Sequence, residues 1–291
     1  MTPSPALLEQ LSTSRFLVDL ARPSVGVGER RSATKGAGME FADYRPYQPG
    51  DDIRHLDLRL RERLGENFIR QYAVDRQLPI TILLDTTASM AHGEPDKLAF
   101  AKQLAQLMGF VGLAAGDRVQ VVAFADGRLE WSPRWQGPAR AELLFGWIAQ
   151  RQPAGAGSFA QALSLVARDL PAASLLILIS DWWTEDVEAQ LATLGAARQE
   201  LIGLHVASPQ ELDPVSLGTG LVYMVDSESG EEVELMLDAE TLADYKSAYA
   251  QWRETLAGQF ARRQGRYFPI SSADDVEHFF LRQLRGAGVI A

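Results

Sequence analysis

The 291-residue sequence contains no cysteine. That excludes disulfides and thiolate metal sites, and it fits a reducing compartment. No apolar run approaches the ~20 residues that a membrane-spanning helix requires, so no span is expected. The opening MTPSPALLEQLSTSRF lacks a basic flank and carries Glu9, which argues against a signal peptide. Histidine is scarce, and His55, His92, His205 and His278 stand too far apart for a metal-ligand spacing. Positive charge is also short: 28 Lys and Arg face 38 Asp and Glu, a formal net charge of -10. General affinity for nucleic acid is therefore not expected. These absences point to a cytoplasmic protein with no membrane span and no nucleic-acid partner.

What is present describes a globular chain, with 46% hydrophobic and 23% charged residues. The length suits one large domain or a domain with an added segment. Charge is unevenly spread. Residues 1–80 hold 12 basic and 11 acidic side chains, and the remainder 16 and 27. This contrast, with the change of pattern at Leu78, predicts an N-terminal extension over 1–77 and an α/β domain over 78–291.

Within the extension, residues 4–22 have helical spacing, with Leu7, Leu8, Leu11, Phe16, Leu17 and Leu20 on one face. The Gly- and Arg-rich GVGERRSATKGAG follows, then a turn signal at QPGDD and a strand pattern in NFIRQYAVDRQL. Arg54, Arg59, Arg61, Arg63, Arg70 and Arg76 form a basic set able to meet phosphate or an acidic protein. RLRERLGE alternates with acids, so a solvated strand or ion-pair face is the plainer reading.

From Leu78 short apolar runs alternate with helical patterns. LPITILLD and SLLILISD read as strands covered on both faces. EPDKLAFAKQLAQLMGFVGLAAG reads as a helix, with Pro95 near its first turn and Gly116 closing it. Further strands are expected at DRVQVVAFAD, RLEWSP, LIGLHVAS and RYFPI, and a hairpin insertion at about 218–238, turning at SESGEE. A long helix should span roughly 240–264, and ADDVEHFFLRQLR should form the last one. The pattern predicts a mostly parallel central sheet flanked by helices.

Ligands of open parallel sheets bind beyond the carboxyl ends of the strands. Two apolar strands end there on an aspartate, Asp85 and Asp181. The loop DTTAS places Asp85, Thr87 and Ser89 at alternate positions, and PAGAGSFAQAL offers Ser158 at a helix start. Two carboxylates and three hydroxyls make an oxygen-only set, suited to Mg²⁺, Mn²⁺ or Ca²⁺ rather than zinc. Neutral hydroxyl ligands leave such an ion net positive, able to accept a carboxylate from outside.

This pattern resembles the metal-ion-dependent adhesion site of von Willebrand factor A domains. Asp85, Thr87, Ser89, Ser158 and Asp181 stand at its metal-site positions. Thr87 stands where Ser is usual and Ser158 where Thr is usual, and both keep the hydroxyl. Trp182 stands where many such domains have Gly. The upstream segment resembles the family called domain of unknown function 58, through Gly38, Glu40, Phe41, Arg45, Tyr47, Gly50, Asp51, Asp52 and Arg54. The chain departs from that family at Leu56-Asp57-Leu58, where Ile-Asp-Trp is usual. The resemblance implies a von Willebrand A-like fold, a bound divalent cation, and work beside a MoxR-type AAA+ ATPase in protein remodelling.

Other readings of the same residues are weaker. Gly155–Ala160 fits a loose dinucleotide pattern, but a helix precedes it where a strand is required. A phosphoryl-accepting Asp85 would need an acid two residues on, where Thr87 stands. The expectation is therefore a non-enzymatic, cation-dependent protein-binding module whose partner presents an Asp or Glu to the ion. Trp182, Trp183 and His92 are the partner-contact candidates at its rim. A metal-dependent hydrolase using the same cup, and a metal-free scaffold docking through the basic N-terminal face, are the alternatives.

Overall fold

The computed structural model describes residues 3–18, 40–48, 56–73, 77–155, 157–184, 187–194, 199–218, 220–225 and 232–291. Two compact units emerge, one of Pro23–Gln77 and one of Met1–Arg22 with Leu78–Ala291. Residues 1–22, assigned above to the extension, thus group with the α/β domain. The reason is burial and pairing. Helix α1 (Pro5–Leu11), capped by Ser4, buries Leu7 and Leu11 in the main core. Phe16 then bridges Ile290, and Arg15 and Ala291 exchange backbone hydrogen bonds of 3.0 and 3.1 Å. The helix is shorter than the spacing over 4–22 suggests. Ser12 folds its hydroxyl back onto the Glu9 carbonyl at 2.7 Å, competing with the helix ladder.

The smaller unit pairs β1 (Glu40–Pro46) antiparallel to β2 (Phe68–Ala73), with α2 (Leu58–Leu64) between them in sequence. Here RLRERLGE is helix, not the strand face expected from its alternation. Asp57 caps it by accepting from the Arg59 and Leu60 amides, and Gly65 closes it at φ 75°. Arg59, Arg61 and Arg63 are exposed on this helix. Gly38, Gly50, Asp51, Asp52, Arg54, His55, Arg76, the Gly- and Arg-rich stretch and most of the QPGDD turn lie outside the described residues.

The larger unit begins its sheet with β3 (Pro79–Asp85), followed by α3 (Lys97–Ala114), β4 (Arg118–Ala125), β5 (Arg128–Trp131) and β6 (Trp135–Gln136). Then come α4 (Ala141–Ala149), α5 (Phe159–Val166), β7 (Leu175–Ser180), α6 (Val187–Leu194) and β8 (Glu200–Ala207). The chain continues through the short α7 (Pro209–Leu212), the hairpin β9 (Gly220–Val225) and β10 (Glu232–Leu237), α8 (Ala239–Ala261) and β11 (Arg266–Ser271). It ends in α9 (Val276–His278), which runs into a π-type turn over Phe279–Leu284. The tip of the hairpin, including SESGEE except for its last residue, lies outside the described residues.

The strand order is β11-β8-β7-β3-β4-β5, with β6 also pairing β4. Pairing is parallel from β11 to β4 and antiparallel at β5 and β6. This is the mostly parallel, helix-flanked architecture expected of a von Willebrand A-like domain. The alternation of β7 divides one apolar run between two cores: Leu175, Ile177 and Ile179 join one, Leu176 and Leu178 the other. Among the described residues no helix is long and apolar enough to cross a membrane.

Chain order reverses beside β3. The next strand, β4, lies on one side of it, and the chain later returns to place β7 on the other. The crevice at such a switch point is where open sheets hold ligands, and Asp85 and Asp181 sit at its two walls.

Packing behind that crevice is close. A Cβ on Gly203 of β8 would fall 2.4 Å from Phe260 Cζ, whereas one on the exposed Gly258 of α8 meets nothing. Gly203→Ala should therefore cost about 1–3 kcal/mol through overpacking, and Gly258→Ala should add about 0.5–1 kcal/mol by removing backbone entropy. Urea unfolding of the two variants beside the wild type checks both signs.

Candidate functional site

Asp85 ends β3, in which every residue after Pro79 is buried, and is itself 2% exposed. Its Oδ1 accepts from the Thr87 amide at 3.0 Å and the Thr87 hydroxyl at 2.7 Å. Its Oδ2 accepts from the Ser180 hydroxyl at 2.6 Å, so the ends of β3 and β7 are joined through this carboxylate. The Thr87 and Ser89 hydroxyls lie 3.1 Å apart. Burial first, and the charge of Asp181 second, push the Asp85 carboxyl up to about 7, against the hydrogen bonds from Ser180 and Thr87.

The loop carrying Ser158 is tied to this one. Ala154 donates to the Thr86 carbonyl at 2.9 Å, and Ala88 donates to the Gly155 carbonyl at 3.0 Å. Ser158 itself is exposed, caps no amide, and shares a 2.6 Å hydrogen bond with the Thr184 hydroxyl. Asp181 lies near enough for its charge to act on Asp85, and it also has a cation of its own. Its Oδ2 accepts from the Lys97 ammonium at 2.9 Å, and the same ammonium reaches Glu211 Oε1 at 2.5 Å. Lys97 is 1% exposed. Burial alone would lower its pKa, but the charges of Asp181 and Glu211 together hold it above the ordinary value. Removing one partner of such a buried pair costs about 3–5 kcal/mol.

The five expected ligands divide among three sets of hydrogen bonds. Asp85, Thr87 and Ser89 form a hydrogen-bonded group, Ser158 is paired with Thr184, and Asp181 belongs to a lysine. Among the described residues no three His, Cys, Asp or Glu side chains are grouped to hold a metal ion, so an ion here would rest on hydroxyls beside a carboxylate. The Asp85 side suits one. Two hydroxyls 3.1 Å apart come near the ~2.9 Å between adjacent oxygens of an octahedral Mg²⁺ shell. In ionised form Asp85, Asp181 and Glu211 carry three negative charges against the single one of Lys97, a deficit that a divalent cation matches.

Several elements hold Lys97 in place. Asp96 caps α3 by accepting from the Ala99 amide at 2.9 Å. Glu94 and Gln210 exchange two hydrogen bonds, at 3.1 and 2.9 Å. Gly93, at φ 98°, lets the loop lie against Ser208, whose Cβ would be 2.3 Å from any Cβ there. Ser208 and Glu211 form a reciprocal cap on α7, which fixes the Glu211 carboxylate. Sequence reasoning missed Lys97, Glu211 and Ser180. One signal for Lys97 was available. It is the first residue of α3, where the helix dipole disfavours a cation, so it needed an acidic partner from elsewhere.

The two tryptophans divide sharply. Trp182, offered above as a partner contact, is fully buried, wedged between Phe159 and Phe260 at 5.2 and 5.3 Å between ring centres. Its φ is 60°, a backbone conformation that glycine adopts without cost. Here the buried ring holds the turn instead, and the turn sends Trp183 outward. Trp183 is 48% exposed, stacks on Trp252 at 4.7 Å and donates to Glu211 Oε1 at 3.3 Å. His92 is exposed on the loop after Ser89.

Comparison with known proteins now places the chain. It matches the family described as "Protein of unknown function DUF58" over residues 43–255. The protein belongs to this family. Relatives include Uncharacterized protein Rv1480 of Mycobacterium tuberculosis and Uncharacterized protein Mb1516 of Mycobacterium bovis. Each is 27% identical over 263 residues, covering 87% of this chain and 81% of its own. Similar solved structures include conserved hypothetical protein BatB from Bacteroides thetaiotaomicron (TM-score 0.42, 14% identity, 72% of this chain and 98% of that one). Another is the von Willebrand factor type A structure from Catenulispora acidiphila (TM-score 0.39, 15% identity, 76% and 43%). A third is the SpRpn10 VWA domain (TM-score 0.42, 8% identity, 72% and 95%). The fold of this DUF58 protein is defined by its strand order, not by these scores.

Behind Trp183 lies an aromatic cluster around His205 of β8. The imidazole is 1% exposed, with Nδ1 2.5 Å from the Tyr267 hydroxyl and the Trp252 ring 5.1 Å away. Burial, then the charges of Arg253 and Lys97, lower its pKa to about 3. The unfolded chain protonates this group near its ordinary value of 6.5, so between these limits it binds more protons than the folded one. Stability must therefore fall as pH drops from about 6.5 toward 3, by at most ~1.4 kcal/mol per pH unit from this group. In His205→Gln that contribution should vanish. Urea titrations at several pH values across this window should give a flatter dependence for the variant, and parallel curves would place the effect on another group.

Proposed function

We propose that the protein is a non-enzymatic interaction module that docks a protein partner on the carboxyl-end rim of its sheet. The carrying observation is the pairing of an exposed, pre-oriented Trp183 with the polar group of buried Asp85 and Thr87 and half-buried Ser89 at the same switch point. Exposed aromatic side chains fixed by their neighbours are the kind of residue that dominates interface energy. Stacking on Trp252 and the bond to Glu211 fix Trp183 before a partner arrives, so little conformational entropy is lost on binding. The non-enzymatic reading is supported by His205, which is sealed among tyrosines and unable to reach a substrate as a base.

A divalent cation, Mg²⁺ or Mn²⁺, held by Asp85, Thr87 and Ser89 belongs to this proposal. When bound it supplies a positive charge that a partner's Asp or Glu completes. Trp183 supplies apolar area beside it, and His92 lies on the same rim. The partner we favour is a MoxR-type AAA+ ATPase, following the family resemblance, with the work being protein remodelling.

The test is capture of a purified MoxR-type ATPase from the same cell by the immobilised full chain in Mg²⁺. Trp183→Ala should weaken capture about tenfold or more. Asp85→Ala, or a chelator added to the wild type, should weaken it comparably while circular dichroism stays unchanged. Capture at wild-type strength by Trp183→Ala would remove the rim from consideration, and indifference to both Asp85→Ala and chelator would remove the ion.

A further inference from the structure

We infer that Lys97 is a built-in counter-ion that takes Asp181 out of the ion-binding set, so that the site holds its divalent ion through Asp85, Thr87 and Ser89 without Asp181. The inference rests on the proposed function only for the presence of an ion.

Geometry carries the assignment. The ammonium sits 2.9 Å from Asp181 Oδ2 and 2.5 Å from Glu211 Oε1, almost wholly shielded from water. An ion bound to Asp181 would stand close to a fixed like charge in a poorly screened interior, where repulsion is far stronger than in water. The remaining oxygen, Asp181 Oδ1, faces the Trp183 amide at 3.4 Å. Asp181 is thus turned toward its own chain on both sides.

This lysine is also held, not merely near. The Asp96 cap, the Glu94–Gln210 bonds and the close approach of Gly93 to Ser208 fix the start of α3 against α7. Glu211 cannot swing away freely, because its Oε2 accepts from the Ser208 amide at 2.6 Å. Asp85 lies in a different setting. Its bonds come from hydroxyls and an amide, with no cationic side chain among them. One strand-end aspartate therefore has its cation built in, and the other is left to one from solution.

The role of Asp181 also changes. Through Lys97 and Glu211 it is linked to the Trp183 indole, which donates to the same Glu211 oxygen at 3.3 Å. Asp181 is then a positioning residue for the exposed ring rather than a ligand.

Titration of the full-length protein with Mn²⁺, read by the paramagnetic resonance signal of free Mn²⁺, tests this. The deciding variant is Lys97→Met with Asp181→Asn, which removes the pair together and leaves the net charge unchanged. Its Mn²⁺ affinity should stay within about threefold of wild type, whereas loss of a true ligand or its support costs about tenfold or more. Lys97→Met alone should bind about tenfold tighter, since the repelling charge is gone and Asp181 is released. Asp85→Asn should bind about tenfold weaker. A tenfold loss in the double variant overturns the inference, and that variant decides if Lys97→Met alone does not fold. Mn²⁺ binding by Lys97→Met but not by the wild type also overturns it, because Lys97 would then exclude the ion. Absence of Mn²⁺ binding in every protein overturns it as well, and leaves docking through Trp183 to be judged by partner capture.

Discussion

A single ammonium group at the edge of the sheet governs how the rim is built. Lys97 starts α3, Asp181 follows β7 and Glu211 lies in α7, and the lysine draws all three to one point. Each carboxylate would be costly to bury alone, and the amine would be costly to bury without them. Together they fix the loop between β3 and α3, the turn after β7 and the segment after β8. These are the loops that surround the switch-point crevice, so the shape of the rim follows from this contact.

The sheet could be read from the sequence because its strands are short and continuously apolar. Burial on both faces keeps the first five residues of LLILIS apolar, and so short a run of β-branched and leucine side chains fits a central strand. The Asp85, Thr87 and Ser89 spacing was equally visible, although Ser89 lies in a 3₁₀ turn over Ala88–Ala91 and not in the extended loop that the spacing suggested. What stayed hidden depended on contacts distant in sequence. Lys97 lies 84 residues from Asp181 and 114 from Glu211, and in a linear reading it is one more lysine near a helix start. The α2 segment misled for a local reason. Its arginines alternate as in a strand, and the caps at Asp57 and Gly65 outweigh that pattern.

Trp182 shows how a change of residue type can preserve a turn. The backbone after β7 passes through the left-handed region at Trp182, just after Asp181. Glycine would bend there without strain, and tryptophan bends because two aromatic partners hold its ring. The strain is compensated by burial, and the next residue gains a direction it would not have on a flexible turn. Core packing and rim presentation are thus set by one pair of adjacent side chains.

The seam between the two ends of the larger unit has a consequence for biosynthesis. Ser14 waits for Arg285, made 271 residues later, and Phe16 waits for Ile290. A nascent chain leaving the ribosome presents Leu7, Leu11 and Phe16 before α3 and the C-terminal segment that pack on them exist. The seam closes only once the segment 285–291 has emerged.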